Sequence, residues 1–356
     1  MSMEDKYEEI PVHKFFLIRP ANEWMAMTRG LPIQKKLFGD FWFENELAVL
    51  FAETNAGKSI LAVQIADSIS RGVQIGPLEM TAPRQKVVYF DFELNDRQFS
   101  IRYTVQGEDG YVWDNNFYRV VLDPDAEYPE GDYCQYICDQ IEVTLNTVGA
   151  KVGIVDNITF FSDELEKSKA ALPLMKQLKR IKEKYDFSLL ILAHTPKRDS
   201  SRPICKNDIQ GSKMIMNFID SAFAIGESRR GEHIRYLKML KTRNAEREYG
   251  RGSVLCCEIR KEYNFLHFEI TGTAKETEHL DAKDPMAHEQ LLETIREGIP
   301  SGKSARAIAE ETGVSHTTIN RLVREMRASG QLPQTGTGNL RGVPDVPDVP
   351  PLSGGN

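Results

Sequence analysis

The chain has 356 residues, enough for one large domain and one small one, and its 41% hydrophobic and 27% charged content is ordinary for a globular protein. No apolar run is long enough to span a bilayer, which leaves no candidate transmembrane helix. The net charge of −7 excludes a uniformly basic nucleic-acid binder, so any such surface has to be local. Cys134, Cys138, Cys205, Cys256 and Cys257 are scattered without a Cys-x-x-Cys pair and read as free thiols in a reducing compartment.

Residues 1–30 form a mixed-charge N-terminal extension. Its opening, Met1 to Glu9, lacks the apolar core of a secretory leader, and the expected location is the cytoplasm. Residues 31–270 then alternate short apolar runs with longer amphipathic ones, the pattern of an α/β domain with a mostly parallel sheet. The first run, Leu47 to Ala52, is strand-like. Glu53, Thr54, Asn55 and Ala56 lead into Gly57, Lys58, Ser59 and Ile60, and Leu61, Val63, Ile65, Ala66 and Ile69 continue as a mostly apolar helix. Strand, phosphate-wrapping turn and helix make the P-loop layout, with Ala52 standing where the pattern usually has glycine. Gly57 lets the backbone approach phosphate oxygens, and successive N–H groups at the helix N-terminus form an anion nest. Lys58 supplies a point charge for the β- and γ-phosphates, and Ser59 a hydroxyl for Mg²⁺. Residues 52–60 are therefore the expected ATP cradle.

Val87 to Phe90 reads as the next strand and runs into Asp91, Phe92 and Glu93. Alternation puts Asp91 and Glu93 on one face, with Glu93 at the C-terminal edge, where open α/β sheets bind ligands. Glu93 is expected to orient the attacking water. Asp91 is the alternative for that task, and a cap on the helix beginning near Asn95 is the structural alternative for Glu93. Tyr118 to Leu122 is a further strand. Val152 to Val155 ends in Asp156 and Asn157, the Walker B form, with Asp156 holding Mg²⁺ through water. Leu165, Ala171, Leu172, Met175, Leu178 and Ile181 recur at helical spacing. Leu189 to Ala193 ends in His194, which the shared sheet edge places to sense the γ-phosphate, with packing or capping as the structural alternative. The long polar loop Pro196 to Ser212 follows, and a loop of that length inside a compact domain is usually functional. Strands are expected at Ser221 to Ile225 and Ile234 to Leu240, and a hairpin over Leu255 to Ile270.

Residues 271–285 are polar and end in Pro285, which predicts a linker. Residues 286–342 read as a small (winged) helix-turn-helix domain. Ala305, Ile308 and Ala309 give a first packing face, Gly313 the turn, and Ser315 an N-cap. Ile319, Leu322, Val323 and Met326 give the buried stripe of the second helix, with Leu291, Leu292 and Ile295 in an earlier helix and a wing over Gln331 to Arg341. His316, Thr317, Asn320 and Arg321 then face outward, where a recognition helix meets base edges. Such folds also serve protein contacts. The tail 343–356 repeats Val-Pro-Asp and is expected to be disordered.

Taken in order, Ala52 to Ser59, Phe92-Glu93, Ile154 to Asn157 and Leu192 to Thr195 resemble the RecA-like ATPase core, most of all the RepA-type and DnaB-type hexameric helicases of plasmids and mobile elements. The resemblance covers about residues 31–250. It implies a homo-oligomeric ring that hydrolyses ATP with Mg²⁺, catalysis by Glu93, sensing by His194, and single-stranded DNA contacts from the loop residues Lys197, Arg198, Arg202 and Lys206. An ordinary mobile loop is the alternative reading of that segment. Leu237 to Asn244 resembles the DnaB-type Lys-x-Arg pattern, which implies that Lys241 and Arg243 reach a neighbour's ATP site, where an arginine is worth ~10³ to 10⁵ in rate. RepA-type chains carry an arginine elsewhere, and the comparable stretch Asn217 to Ser221 has none. Three functions compete: a DNA helicase or translocase, an ATP-switched regulator that binds duplex DNA without unwinding it, and a small-molecule kinase, for which neither Lys-x-Arg nor helix-turn-helix is expected.

Overall fold

The computed structural model describes residues 16–30, 33–105, 109–127, 131–158, 168–209, 212–246, 248–250, 252–281 and 285–333. Helix α1 (Ala21–Thr28) lies in the N-terminal extension and buries none of its residues. A two-stranded antiparallel ribbon, β1 (Lys36–Phe38) and β2 (Trp42–Phe43), precedes the P-loop strand β3 (Leu47–Ala52). Then come α2 (Lys58–Arg71), β4 (Val87–Asp91), α3 (Asp96–Arg102), β5 (Phe117–Val120), α4 (Tyr133–Val148) and β6 (Val152–Asp156). Helix α5 (Ser168–Tyr185), β7 (Ser188–His194), α6 (Ser212–Phe218), β8 (Ser221–Glu227) and β9 (Ile234–Lys241) follow, and the hairpin β10 (Val254–Glu262) and β11 (Phe265–Ala274) closes the sheet.

The large sheet has nine strands in the order β11-β10-β9-β8-β3-β7-β6-β4-β5. From β8 to β5 every pairing is parallel, while β9, β10 and β11 are antiparallel. The central strands are buried on both faces, as parallel strands covered by helices must be. Leu47, Val49 and Phe51 point to one side, where they pack with Leu174, Leu178 and Ile181 of α5 and Ile137 and Ile141 of α4. Ala48, Leu50 and Ala52 point to the other, against Leu61, Ile65, Ala66 and Ile69 of α2. Each fully buried Leu, Ile or Val side chain contributes about 1.5–3 kcal/mol. Helix ends follow their local chemistry. Asn95 and Gln98 form a capping box on α3, and Asp132 accepts from the Gln135 N–H at 3.0 Å to cap α4.

The antiparallel strands fold back onto α2. Gln64 donates to the Phe268 carbonyl at 3.0 Å and accepts from the Phe268 N–H at 2.9 Å, so a side chain of the P-loop helix hydrogen-bonds the backbone of the last strand. Gly57, at φ 103°, has the Phe268 ring and Ile259 so close that a Cβ there would stand 2.8 Å from Phe268 Cζ. Left-handed backbone and ring contact both require glycine at this position.

The expected linker over 271–285 is corrected as far as residue 281, and residues 282–284 lie outside the described residues. Strand β11 runs on to Ala274, which pairs with Val254, and a 3-10 turn follows at Glu276–Glu278. Glu276 is completely buried and ion-paired with Lys238, and it also accepts from the Ile204 N–H at 2.8 Å. His279 is buried beside Ser228 and Cys256, and the Asp281 N–H donates to the Ser200 carbonyl at 3.3 Å. The stretch looked like a linker because an edge strand exposes Thr271, Gly272 and Thr273, and because the buried polar residues find their partners far away in sequence.

Contacts divide the chain into two compact units, residues 1–281 and 282–356. Within the second, α7 (Pro285–Gly298), α8 (Ala305–Thr312) and α9 (His316–Ala328) pack around Ile295, Ile308, Ile319, Leu322, Val323, Met326 and Leu332. Ser304 caps α8, Gly313 turns left-handed at φ 67°, and Ser315 caps α9 by accepting from the Thr318 N–H at 3.2 Å. The expected wing lies largely outside the described residues, as does the tail 343–356. No described helix is long and apolar enough to cross a membrane.

Removing one partner of a buried ion pair costs about 3–5 kcal/mol. Glu276→Ala should therefore lower unfolding free energy by about that much in urea denaturation, while truncation after residue 281 should leave the first unit's midpoint nearly unchanged. The reverse order would restore the linker reading of 271–281.

Candidate active site

Parallel register brings the polar strand ends to one edge. Ala52 pairs with His194 across β3 and β7, and Asp91 pairs with Asp156 across β4 and β6. Lys58 opens α2 directly after Gly57 and is buried. Its ammonium donates to the Ala52 carbonyl at 3.2 Å, to the Glu53 carbonyl at 3.0 Å and to His194 Nδ1 at 3.2 Å. Burial pulls the Lys58 pKa below its ordinary value, while the charges of Glu93 and Asp156 act in the opposite sense. Thr54 and Asn55, with Asn55 at φ 64°, are exposed at the turn, Ala56 is buried, and Ser59 and Ile60 are half-buried on the first turn of α2. Arg235, at the start of β9, donates to the Ala56 carbonyl at 3.2 Å. Sequence reasoning missed this contact, since an arginine inside a strand of alternating charge carries no sign of a partner 179 residues away.

Lysine can only donate, so His194 Nδ1 accepts and Nε2 carries the imidazole proton. That nitrogen lies 3.3 Å from Glu93 Oε1 and 3.0 Å from the Asn157 amide nitrogen. The Asn157 amide donates to Glu93 Oε1, so it and the Nε2–H are two donors side by side on the same oxygen rather than bonded to each other. The His194 hydrogen bond is the main reason that the Glu93 carboxyl is held below its usual range, and Lys58 adds to the effect. Glu93 thus sits half-exposed and ionised at neutral pH, at the end of a chain that runs from Lys58 through His194. Asp91 is placed differently. It is buried, its Oδ2 accepts from Arg119 at 2.9 Å, and its Oδ1 accepts from the Leu94 N–H at 2.9 Å. Its acceptor capacity is consumed in closing the turn after β4.

Asp156 is fully buried. Its Oδ2 accepts from the Tyr89 hydroxyl at 2.6 Å, while its Oδ1 has no hydrogen-bond partner among the described residues. Burial, then the Glu93 charge, push its pKa up to about 6, and the Ser59 and Tyr89 hydroxyls act the other way. An orphaned buried carboxylate oxygen next to a P-loop serine suits a Mg²⁺ ion that keeps most of its water. No described group of three or more His, Cys, Asp or Glu could hold a metal ion. Ser59 and Asp156 are the residues that would hold such an ion, with phosphate oxygens and water completing its shell.

Other sequence-derived candidates are drawn into internal contacts. Arg198 and Arg202 both pair with the buried Asp208, Arg198 at 3.8 Å, and this leaves Lys197 and Lys206 as the exposed cations among the four. Lys241 and Arg243 lie at the opposite end of the sheet from the P-loop, because antiparallel β9 puts Lys241 beside Ala222 at the start of β8. The Lys241 ammonium donates to the Met216 and Ile219 carbonyls at 2.7 and 2.6 Å, and Arg243 pairs with Asp220 at 3.1 Å. Neither belongs to its own chain's site. In the second unit, His316, Thr317 and Arg321 are exposed and Asn320 is half-exposed on α9. Asn320 contacts the His316 ring at 3.1 Å, and Arg321 pairs with Glu325 at 2.6 Å. A surface pair of that kind is worth at most about 1 kcal/mol and is readily exchanged.

Fold and site together define a P-loop ATPase with a RecA-like sheet. The sequence pattern of the AAA domain family matches residues 20–200, just over half of the chain and all of the cluster around Lys58, and the chain belongs to that family. Membership implies a nucleotide ligand, usually with Mg²⁺. A KaiC-like protein from the hyperthermophilic archaeon Pyrococcus horikoshii OT3 is similar in structure, at 11% sequence identity and a TM-score of 0.46, over 67% of this chain and 99% of that one. No curated protein matches the sequence.

The two carboxylates after β4 should separate by stability alone. Asp91→Asn breaks a buried ion pair and should cost about 3–5 kcal/mol, whereas Glu93→Gln, half-exposed, should stay within about 1 kcal/mol of the parent in thermal melts. Equal melting losses would contradict the structural role given to Asp91.

Proposed function

We propose that this chain is an ATP hydrolase acting on DNA, a ring-forming helicase or translocase of a plasmid or mobile-element replication or mobilisation system. The observation that supports hydrolysis is the Lys58, His194, Asn157 and Glu93 cluster set beside Ser59 and Asp156 at one sheet edge. In this reading the loop 52–60 binds the phosphates through its N–H groups, and Lys58 turns from carbonyl oxygens to the γ-phosphate. Glu93, kept ionised, accepts a hydrogen bond from the attacking water and holds it in line. Asn157 and the His194 Nε2–H fix Glu93 Oε1, so His194 links the lysine's position to that of the base. Mg²⁺, when bound, offsets the charge that develops on the phosphate oxygens.

DNA engagement rests on two surfaces. The first turns of α9 present His316, Thr317, Asn320 and Arg321 as a recognition surface for duplex DNA. Lys197 and Lys206 serve a single strand through phosphate charge, with Arg198 and Arg202 contributing only if they leave Asp208. The ring would place Lys241 and Arg243 across a subunit interface, with Arg243 released from Asp220. A second reading, an ATP-switched regulator that binds duplex DNA without unwinding it, is favoured by the internal pairing of those same basic residues. Displacement of a strand from a forked substrate supports the motor, and ATP-dependent duplex binding without displacement supports the regulator.

In turnover assays, Lys58→Ala should abolish hydrolysis. Glu93→Gln and Arg243→Ala should retain ATP binding and lose at least 100-fold in rate, consistent with general-base and in-trans arginine magnitudes. Constant turnover per chain on dilution to monomer would remove the ring, and normal turnover by Lys58→Ala would remove the ATP site.

For DNA, Arg321→Ala should weaken binding to a preferred duplex site by about 1–3 kcal/mol if it touches a base edge, and binding of the full chain should fall steeply with salt. A full-length protein with no duplex affinity at low salt would reassign the second unit to protein docking.

A further inference from the structure

Tyr89 is completely buried on β4, on the face of the sheet that α2 covers. Strand alternation puts Val87, Tyr89 and Asp91 on that face, and Ile154 and Asp156 on the same face of neighbouring β6. A phenylalanine would fill nearly the same space. A buried hydroxyl is costly unless it is bonded, and this one donates at 2.6 Å to Asp156 Oδ2. The other oxygen of that carboxylate, Oδ1, is equally buried and has no hydrogen-bond partner among the described residues. One oxygen is thus tied to the sheet, while the other has no partner at hydrogen-bond geometry and the half-buried Ser59 hydroxyl is the neighbouring group that acts on the same carboxylate.

We infer that Tyr89 is a positioning residue for Mg²⁺: its hydroxyl fixes the rotation of the Asp156 carboxylate, so that Oδ1 is presented to the hydration shell of an ion bound with ATP. The inference rests on the ATP-site reading above. Its physical content is that of an outer-shell partner. Without the Tyr89 hydroxyl the carboxylate can turn about its Cβ–Cγ bond and must be reordered each time the ion binds. Loss of such partners typically weakens metal affinity by about 10–100-fold.

The test uses the full chain and a non-hydrolysable ATP analogue with a fluorescent ribose, titrated with Mg²⁺. Tyr89→Phe should raise the half-saturating Mg²⁺ concentration about 10-fold and leave analogue affinity in EDTA unchanged. A role in packing alone would lower the melting temperature without moving the Mg²⁺ midpoint. The same substitution made in an Asp156→Asn background should shift the midpoint no further, because the hydroxyl acts through that carboxylate. An unchanged midpoint in folded Tyr89→Phe, or equal shifts in both backgrounds, overturns the inference while leaving the ATP site standing. Failure of the unsubstituted chain to bind the analogue in the presence of Mg²⁺ overturns the ATP-site reading, and this inference with it.

Discussion

A buried ammonium whose direct partners are all neutral organises this molecule. Burying a charge is costly unless it is fully hydrogen-bonded, and Lys58 meets that demand with two carbonyls and an imidazole. Both carbonyls belong to the end of β3 and the turn after it, and the imidazole to the end of β7. The arrangement therefore exists only where those two strands pair with Ala52 opposite His194. A slip of one residue would send every side chain of β7 to the other face and His194 with it. The two halves of the core, one under α2 and one under α4 and α5, fix that register because alternate residues of both strands are completely buried.

Four carboxylates account for much of what the remaining charges do. Asp208 holds Arg198 and Arg202, Glu276 holds Lys238, Asp220 holds Arg243 and Lys182, and Asp91 holds Arg119. These four acids each take a base, whereas buried Glu46 is held by neutral donors alone, the Phe43 N–H, Ser221 and Asn244. The loop after His194 is shaped by such pairing. Asp208 gathers its arginines inward, and Glu276 and Asp281 secure its middle to the end of the domain.

The sheet was legible because apolar strand patterns and turn residues are local properties. Every expected strand from Leu47 to the closing hairpin is present, most with ends shifted by one or two residues. The convergence of Lys58, Glu93, Asp156 and His194 was legible for a related reason. In a parallel sheet, polar residues that end successive apolar runs fall at one edge. The buried stripe Ile319, Leu322, Val323 and Met326 was likewise written in helical spacing. What escaped was pairing at a distance. Nothing near Lys241 marks it as the donor to Met216 and Ile219, and nothing near Tyr89 marks its bond to Asp156. The short ribbon of Lys36–Phe38 and Trp42–Phe43 escaped as well, since such brief strands carry too few residues to show alternation. Between Asp91 and Glu93 the sequence favoured Glu93 with Asp91 as the alternative, and it gave no sign that Asp91 would be buried against Arg119 while Glu93 lies beside His194.

The contact between Gly57 and Phe268 has a consequence for how the domain is made. The phosphate loop is synthesised early, yet the ring that seats it belongs to the last strand, 211 residues later. At a ribosomal rate of about 5–20 residues per second, roughly 10–40 s separate the two. During that interval α2 lacks both its Gln64 bonds to Phe268 and the apolar cover of the hairpin. Contacts of such long sequence separation form slowly even in the finished chain. The nucleotide cradle is encoded among the first elements of the domain and completed among the last, so a nascent chain carries the whole motif long before it carries the site.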